Sequence, residues 1–261
     1  MRKILITALL LLAAALSAPV ANAQSPHFLE AAKGNVPGLS GANIVGHNAV
    51  VGATPVTVWS GATAYAYPSA GVQMAVVSDS ANDVAAGSGA EKVTITYLTT
   101  DYTQATEEVT LAGLTPSNTV ATNIYRINNV EVTQSANGAN TAFNAGNISV
   151  TNGGVTYGHI EAGEGRALST VYTVPKDKIA YFYYFAVSCS SGKSAESSFI
   201  IREPGSPPHV HGHIEVYQTT ATRVADVPVA VPEGSDVEMR AISSAAGTHV
   251  EATIGLFLVD R

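Results

Sequence analysis

Lys92-Val93-Thr94-Ile95-Thr96-Tyr97-Leu98 alternates apolar Val93, Ile95 and Tyr97 with Thr94 and Thr96, the two-residue period of a strand that buries one face. Short β-branched runs of the same kind recur on both sides. Upstream stand Val56-Thr57-Val58-Trp59 and Gln73-Met74-Ala75-Val76-Val77. Downstream come residues 107–111, 122–127, 148–150, 169–174, 179–187, 198–201, 214–217, 236–242 and 250–259. Gly, Asn, Asp and Pro punctuate them, and the best helical candidate, 28–33, is too short to organise a domain. This pattern predicts an all-β protein with one or two antiparallel β-sandwich or jelly-roll domains.

The 261-residue chain is 46% hydrophobic, which excludes a disordered polymer. Only 13% of its residues are charged, against ~25% in ordinary soluble domains. With 13 Lys+Arg against 20 Asp+Glu the net charge is −7. Sequence-independent binding of nucleic acid, which depends on cations neutralising phosphates, is therefore not expected. Cys189 is the single cysteine, so no intrachain disulfide can form, and its strand-like surroundings predict a small packed hydrophobe.

Arg2 and Lys3 precede an apolar run from Ile4 to Leu16, and Ala21-Asn22-Ala23 stands before Gln24. That order predicts a cleaved secretory signal peptide over residues 1–23 and export to a periplasm, the extracellular space, or a cell or particle surface. The run falls short of the ~20 apolar residues of a spanning helix, so no membrane span is expected after cleavage. Residues 24–52, rich in Gly and Asn with little periodicity, read as an extended N-terminal arm. The Gly- and Asn-rich stretch 135–147, with Asn152-Gly153-Gly154 after it, divides a first strand set from a second. A first β-sandwich over 53–162 and a second sandwich or jelly roll over 163–261 follow.

Several segments in order resemble a family of β-rich virion structural proteins of tailed, especially marine, bacteriophages. They are Val58-Trp59 with Tyr65-Ala66-Tyr67-Pro68; Val77-Ser78-Asp79 through Asn82-Asp83, with Gly87-Ser88-Gly89-Ala90; and the run 93–98. Val109-Thr110-Leu111-Ala112-Gly113, Tyr172-Thr173-Val174-Pro175, the stretch 231–241 and the closing 254–260 complete the set. The resemblance spans roughly residue 35 to the C-terminus. It implies an oligomeric fibre, decoration or tail-tip component without catalytic residues. Joined to the export signal, it implies an exported relative serving adhesion or a surface assembly.

Three groups of residues carry candidate chemistry. Pro207-Pro208-His209-Val210-His211-Gly212-His213-Ile214-Glu215 places His209, His211, His213 and Glu215 on one face of a regular strand. Imidazoles in this array suit a transition-metal ion, completed by another strand or subunit. The spacing of His209, His211 and Glu215 is also similar to a cupin metal motif, although no His follows Gly234 closely, as the second cupin motif would require. Trp59, Tyr65 and Tyr67 offer rings for stacking on a sugar, or else a buried aromatic cluster. Asp79 and Asp83 are candidate oxygen ligands for calcium, or a turn whose side chains bond local backbone while Gly87 and Gly89 take positive φ. The sequence has no G-x-S-x-G elbow, P-loop or dinucleotide fingerprint. Carboxylate pairs such as Glu107/Glu108 and Glu161/Glu164 decide nothing by themselves.

The expectation is an exported, non-enzymatic structural or adhesive subunit with no required cofactor. Copies of itself are the expected partners, in a homotrimer or larger assembly. A secreted carbohydrate-binding module and a cupin-like or His-strand metal protein are the alternatives.

Overall fold

A computed structural model describes residues 27–61, 63–135, 138 and 141–261. The expected signal peptide lies outside them. The chain divides into a unit over residues 1–37 and a unit over residues 38–261. In the first, α1 (His27–Ala32) is the short helix expected near residue 28, and the Glu30 carboxylate accepts from Lys33 Nζ at 3.0 Å and Asn35 Nδ2 at 2.7 Å.

The second unit is all-β with antiparallel sheets. Its strands are β1 (Leu39–Val51), β2 (Val56–Thr57), β3 (Ala75–Ser78), β4 (Ala90–Leu98), β5 (Gln104–Thr110), β6 (Ser117–Asn118), β7 (Arg126–Ser135) and β8 (Ile148–Asn152). The rest are β9 (Val155–Ile160), β10 (Tyr172–Thr173), β11 (Lys178–Cys189), β12 (Ser194–Arg202), β13 (His209–Tyr217), β14 (Thr220–Val231), β15 (Asp236–Ile242) and β16 (Thr248–Asp260). Four sheets result: β1-β16-β11-β14; β10-β15-β12-β13 with β2 on β15; β6-β3-β8-β9; and β5-β4-β7.

The first two sheets share one hydrophobic core, in which Ile44, Val58, Phe182, Phe199, Met239, Ile254 and Leu256 are buried together. The other two share a second core around Val76, Ile95, Val130, Ile148 and Val150. In β4 the alternation holds: Val93, Ile95 and Tyr97 are buried and Thr94 and Thr96 are not.

These cores group the strands differently from a division into 53–162 and 163–261. Residues 44–58 join 172–256 in the first core, and residues 72–167 build the second. The second core is thus an insertion between β2 and β10. Its two ends meet where Ser60 N–H donates to the Leu168 carbonyl at 3.0 Å. Residues 39–51, part of the expected arm, form a strand paired along its length with β16. Periodicity fails there because Gly46 and Asn48 occupy inward positions. A Cβ at Gly46 would lie 2.2 Å from the Val58 carbonyl oxygen. Buried Asn48 donates from Nδ2 to the Thr57 carbonyl at 2.9 Å, so both inward polar positions meet backbone rather than oil.

Candidate functional site

Of the two readings of the aromatic group, the structure shows the buried cluster for Trp59 and Tyr65. Trp59 is 2% exposed and Tyr65 is also buried; with Val171 they form a small cluster of their own. Trp59 Nε1 donates to the Thr63 carbonyl at 2.7 Å, and the Tyr65 hydroxyl to the Tyr157 carbonyl at 3.0 Å. Ring centroids stand 5.1 Å apart for Trp59–Tyr65 and 4.9 Å for Tyr65–Tyr67, both edge to face. The three rings are thus a ladder running inward, and Trp59 and Tyr65 are not a sugar platform. Burial pushes the Tyr65 and Tyr67 phenols well above their ordinary values. Tyr67 alone keeps partial exposure.

Tyr67 leads to a polar network centred on Asp236. Asp236, on the outer face of β15, is 4% exposed. Its Oδ1 accepts from Arg126 Nε at 2.7 Å and Thr173 Oγ1 at 2.6 Å. Its Oδ2 accepts from Arg126 Nη2 at 3.2 Å and Arg202 Nε at 3.1 Å, and also from Arg202 Nη2. Arg126 Nη1 donates to the Pro68 and Tyr125 carbonyls. Burial alone would lower the pKa of Arg126, but the hydrogen bonds and charge of Asp236 outweigh it and raise it. Two residues along the same face of β15, buried Glu238 accepts from Arg240 Nη2 at 2.8 Å and Thr57 Oγ1 at 2.7 Å. Burying such charges is tolerable only because each carboxylate is paired and fully hydrogen-bonded.

Beside this network opens a cleft of about 330 Å³ lined by Tyr67, Tyr102, Tyr125, Arg126, Arg202 and Asp236, with Glu203 to Ser206 on its rim. The Arg126 guanidinium lies 3.8 Å from the Tyr125 ring centre, and Arg202 lies 4.2 Å from that of Tyr67. Tyr102 sits at the β4–β5 turn with φ 64°, a left-handed conformation that a bulky residue rarely adopts without a packing reason. Its ring packs against Gly234, where a Cβ would lie 2.9 Å from it. Sequence reasoning missed Tyr102, Tyr125, Arg126, Arg202 and Asp236. The Arg126–Asp236 pair spans 110 residues, and no local spacing announces such a contact.

The histidine strand also differs from its expected form. On β13 the register runs His213↔Ser198, Gly212↔Phe199, then Val210↔Ile200 and His209↔Ile201. His211 is therefore the extra residue of a β-bulge, which switches the side-chain alternation. His213 and Glu215 face outward opposite Ser198 and Glu196, whereas His209 stands opposite core-facing Ile201. His211 lines a small cavity with Phe185, Phe199 and Met239. The expected common face of His209, His211, His213 and Glu215 is thus split. His213 Nδ1 lies 3.0 Å from Glu196 Oε1 and 3.1 Å from Ser198 Oγ. Among the described residues no three His, Cys, Asp or Glu side chains are placed to hold a metal ion. His249, the nearest substitute for a second cupin histidine, stands instead beside His47, with ring centres 5.8 Å apart.

Asp83 is fully buried, and donors fill both its oxygens: Ala90 N and Ala145 N on Oδ1, each at 2.7 Å, with Ser78 Oγ at 2.5 Å and Gly146 N at 2.9 Å on Oδ2. Asp79 accepts from the backbone and side-chain nitrogens of Asn147. Four N–H and O–H donors thus occupy the Asp83 carboxylate, which ties loops together and has no lone pair left for a calcium ion, whereas exposed Asp79 is held to residue 147 alone. Gly87 and Gly89 are not at positive φ. They are small because a Cβ would strike the Asn82 carbonyl or the Asp83 carboxylate, each at 2.1 Å. In the Glu107/Glu108 pair, Glu107 accepts from the Val120 and Ala121 backbone, and Glu108 pairs with Lys92.

Finally, β13 and β14 each end a sheet and pair on one side only, although they are consecutive along the chain. Among the described residues, exposed large hydrophobics concentrate there: Val210, Tyr217, Val224 at 66% and Val227 at 81%. Ala225, Asp226, Val227 and Pro228 bulge opposite Tyr183. Among the described residues no helix is long and apolar enough to cross a membrane. Comparison of the chain with known protein families, curated proteins and solved structures finds no match.

Proposed function

We propose that this protein is an exported, non-enzymatic structural or adhesive subunit, of the kind it resembles among phage virion proteins, and that it works as a homotrimer or larger assembly. The observation that carries this reading is the pair of adjacent open edges, β13 and β14, with Val210, Tyr217, Val224 and Val227 exposed on them. A monomer would leave backbone donors and acceptors of β13 and a strip of valines to water, a surface that proteins ordinarily cover or blunt. Pro228 and the bulge around it already blunt part of β14 against ladder pairing. Copies therefore meet through β13 backbone and β14 side chains. Each pair of sheets around a common core is best read as a β-sandwich, one inserted in the other. The carboxylates support a passive role, for Asp83, Glu107, Asp236 and Glu238 all spend their oxygens on structural donors.

Light scattering on the protein from Gln24 onward tests this. The expected mass is at least three chains, falling to one in a Val224→Lys/Val227→Lys variant that keeps its circular dichroism. A single-chain mass at every concentration of the unsubstituted protein contradicts the proposal.

A further inference from the structure

The cleft beside Asp236 has the chemistry of a ligand site, and nothing in the assembly reading uses it. Three half-buried tyrosines, Tyr67, Tyr102 and Tyr125, line it together with Arg202. Its volume, about 330 Å³, lies within the ~300–1,000 Å³ range of ligand pockets. Two features define what fits.

The first is charge. Arg126 and Arg202 share the one carboxylate of Asp236, which leaves one positive charge over. Arg126 has donors committed to Asp236, Pro68 and Tyr125. Arg202 is bound only through Nε and Nη2, and its Nη1 has no partner among the described residues. A guanidinium with a free edge, partly desolvated and fixed by a buried carboxylate, is suited to take a second carboxylate from a ligand. Glu203, exposed on the rim, opposes a purely electrostatic trap and favours a ligand that also brings hydroxyl donors.

The second feature is the wall. Aromatic rings bearing phenol groups, with Ser206 and Glu203 beside them, alternate flat apolar faces with hydrogen-bonding groups. Sugar rings present C–H faces to aromatics and hydroxyls around the edge, a match that an aliphatic ligand lacks. The left-handed backbone at Tyr102 holds its ring in place over Gly234, at a conformational cost that ordinary turns avoid.

We infer that this cleft binds a carboxylate-bearing sugar, a uronic acid unit of a surface glycan, with Arg202 on the carboxylate and Tyr102 and Tyr125 against the ring. Because the residues all belong to one chain, the site is complete in a monomer. Its test is therefore independent of assembly.

Calorimetric titration with short oligosaccharides of galacturonate, mannuronate and glucuronate, each beside its neutral methyl ester, decides the matter. At least one acidic oligosaccharide is expected to bind, with its ester at least about tenfold weaker, the size of one good charge-assisted contact. Arg202→Gln should erase the difference between acid and ester; Arg126 still neutralises Asp236 in that variant. Tyr102→Gly, whose backbone accepts positive φ without strain, should weaken acid and ester alike. Circular dichroism and melting confirm that both variants fold. No binding by any acidic oligosaccharide at millimolar concentration overturns the inference, as does equal affinity for acid and ester, or full binding by Arg202→Gln. Binding by a protein that scatters light as a monomer would sink the assembly reading and leave this one standing.

Discussion

Asp236 shows how much of this fold depends on single polar side chains. Its carboxylate lies between a buried arginine from β7 and a half-buried one from β12, so the isosteric Asp236→Asn change leaves Arg126 buried without a counter-charge. Removing one partner of a buried pair costs about 3–5 kcal/mol; denaturant titration should show a loss of that order, and a loss below about 1 kcal/mol would contradict the network. A second residue-scale effect involves protons. Burial lowers the pKa of His159, with Glu161 and Asp79 opposing the shift. The unfolded chain takes up this proton near pH ~6.5, while the folded chain resists it until lower pH. The unfolded state thus binds more protons in that window, and stability falls as pH drops through it. The melting temperature of a His159→Gln variant should fall less between about pH 7 and 5 than that of the unsubstituted protein; equal falls would refute the assignment. Neither residue was legible in the sequence: His159 carries no motif, and the arginines that Asp236 binds stand 110 and 34 residues away along the chain.

At the scale of elements, strands with one apolar and one polar face were readable and others were not. β4, β8, β11, β12, β15 and β16 each contain a run identified from alternation or β-branched content. β1 was hidden because its inward positions include Gly46 and Asn48, which meet backbone. β14 was hidden because most of it is exposed and bulged, with Val227 and Pro228 outside any period. Gly46→Ala should therefore cost about 1–3 kcal/mol, as overpacking does, because the new methyl meets the Val58 carbonyl and Thr170. Gly41→Ala on the same strand meets the Phe257 ring at 3.5 Å and the Leu256 carbonyl oxygen at 4.0 Å, both ordinary contact distances, and should be nearly neutral. Thermal denaturation compares the two, and equal effects would contradict the close approach at Gly46. On β13 a single bulged residue, His211, divides a histidine array that looked uniform. Bulges are invisible to a two-residue period, which is why His209, His211, His213 and Glu215 do not share the single face expected of them.

For the whole molecule, composition and turn chemistry were enough to give an all-β chain, whereas the grouping of strands was not. The first core closes only when residues near 44–58 meet residues beyond 172, a long-range closure that local patterning does not encode. The cleft lies beside that closure, since Arg126 belongs to the inserted strands and Asp236 and Arg202 to the enclosing ones. The same grouping sets β13 and β14 at the free ends of two sheets that share a core, and the account of function depends on what covers them. Amide hydrogen exchange at the outer edges of β13 and β14, followed as protein concentration is raised, measures this directly. Protection is expected to grow with concentration and to disappear in the Val224→Lys/Val227→Lys variant; fast exchange at every concentration would contradict assembly through these edges.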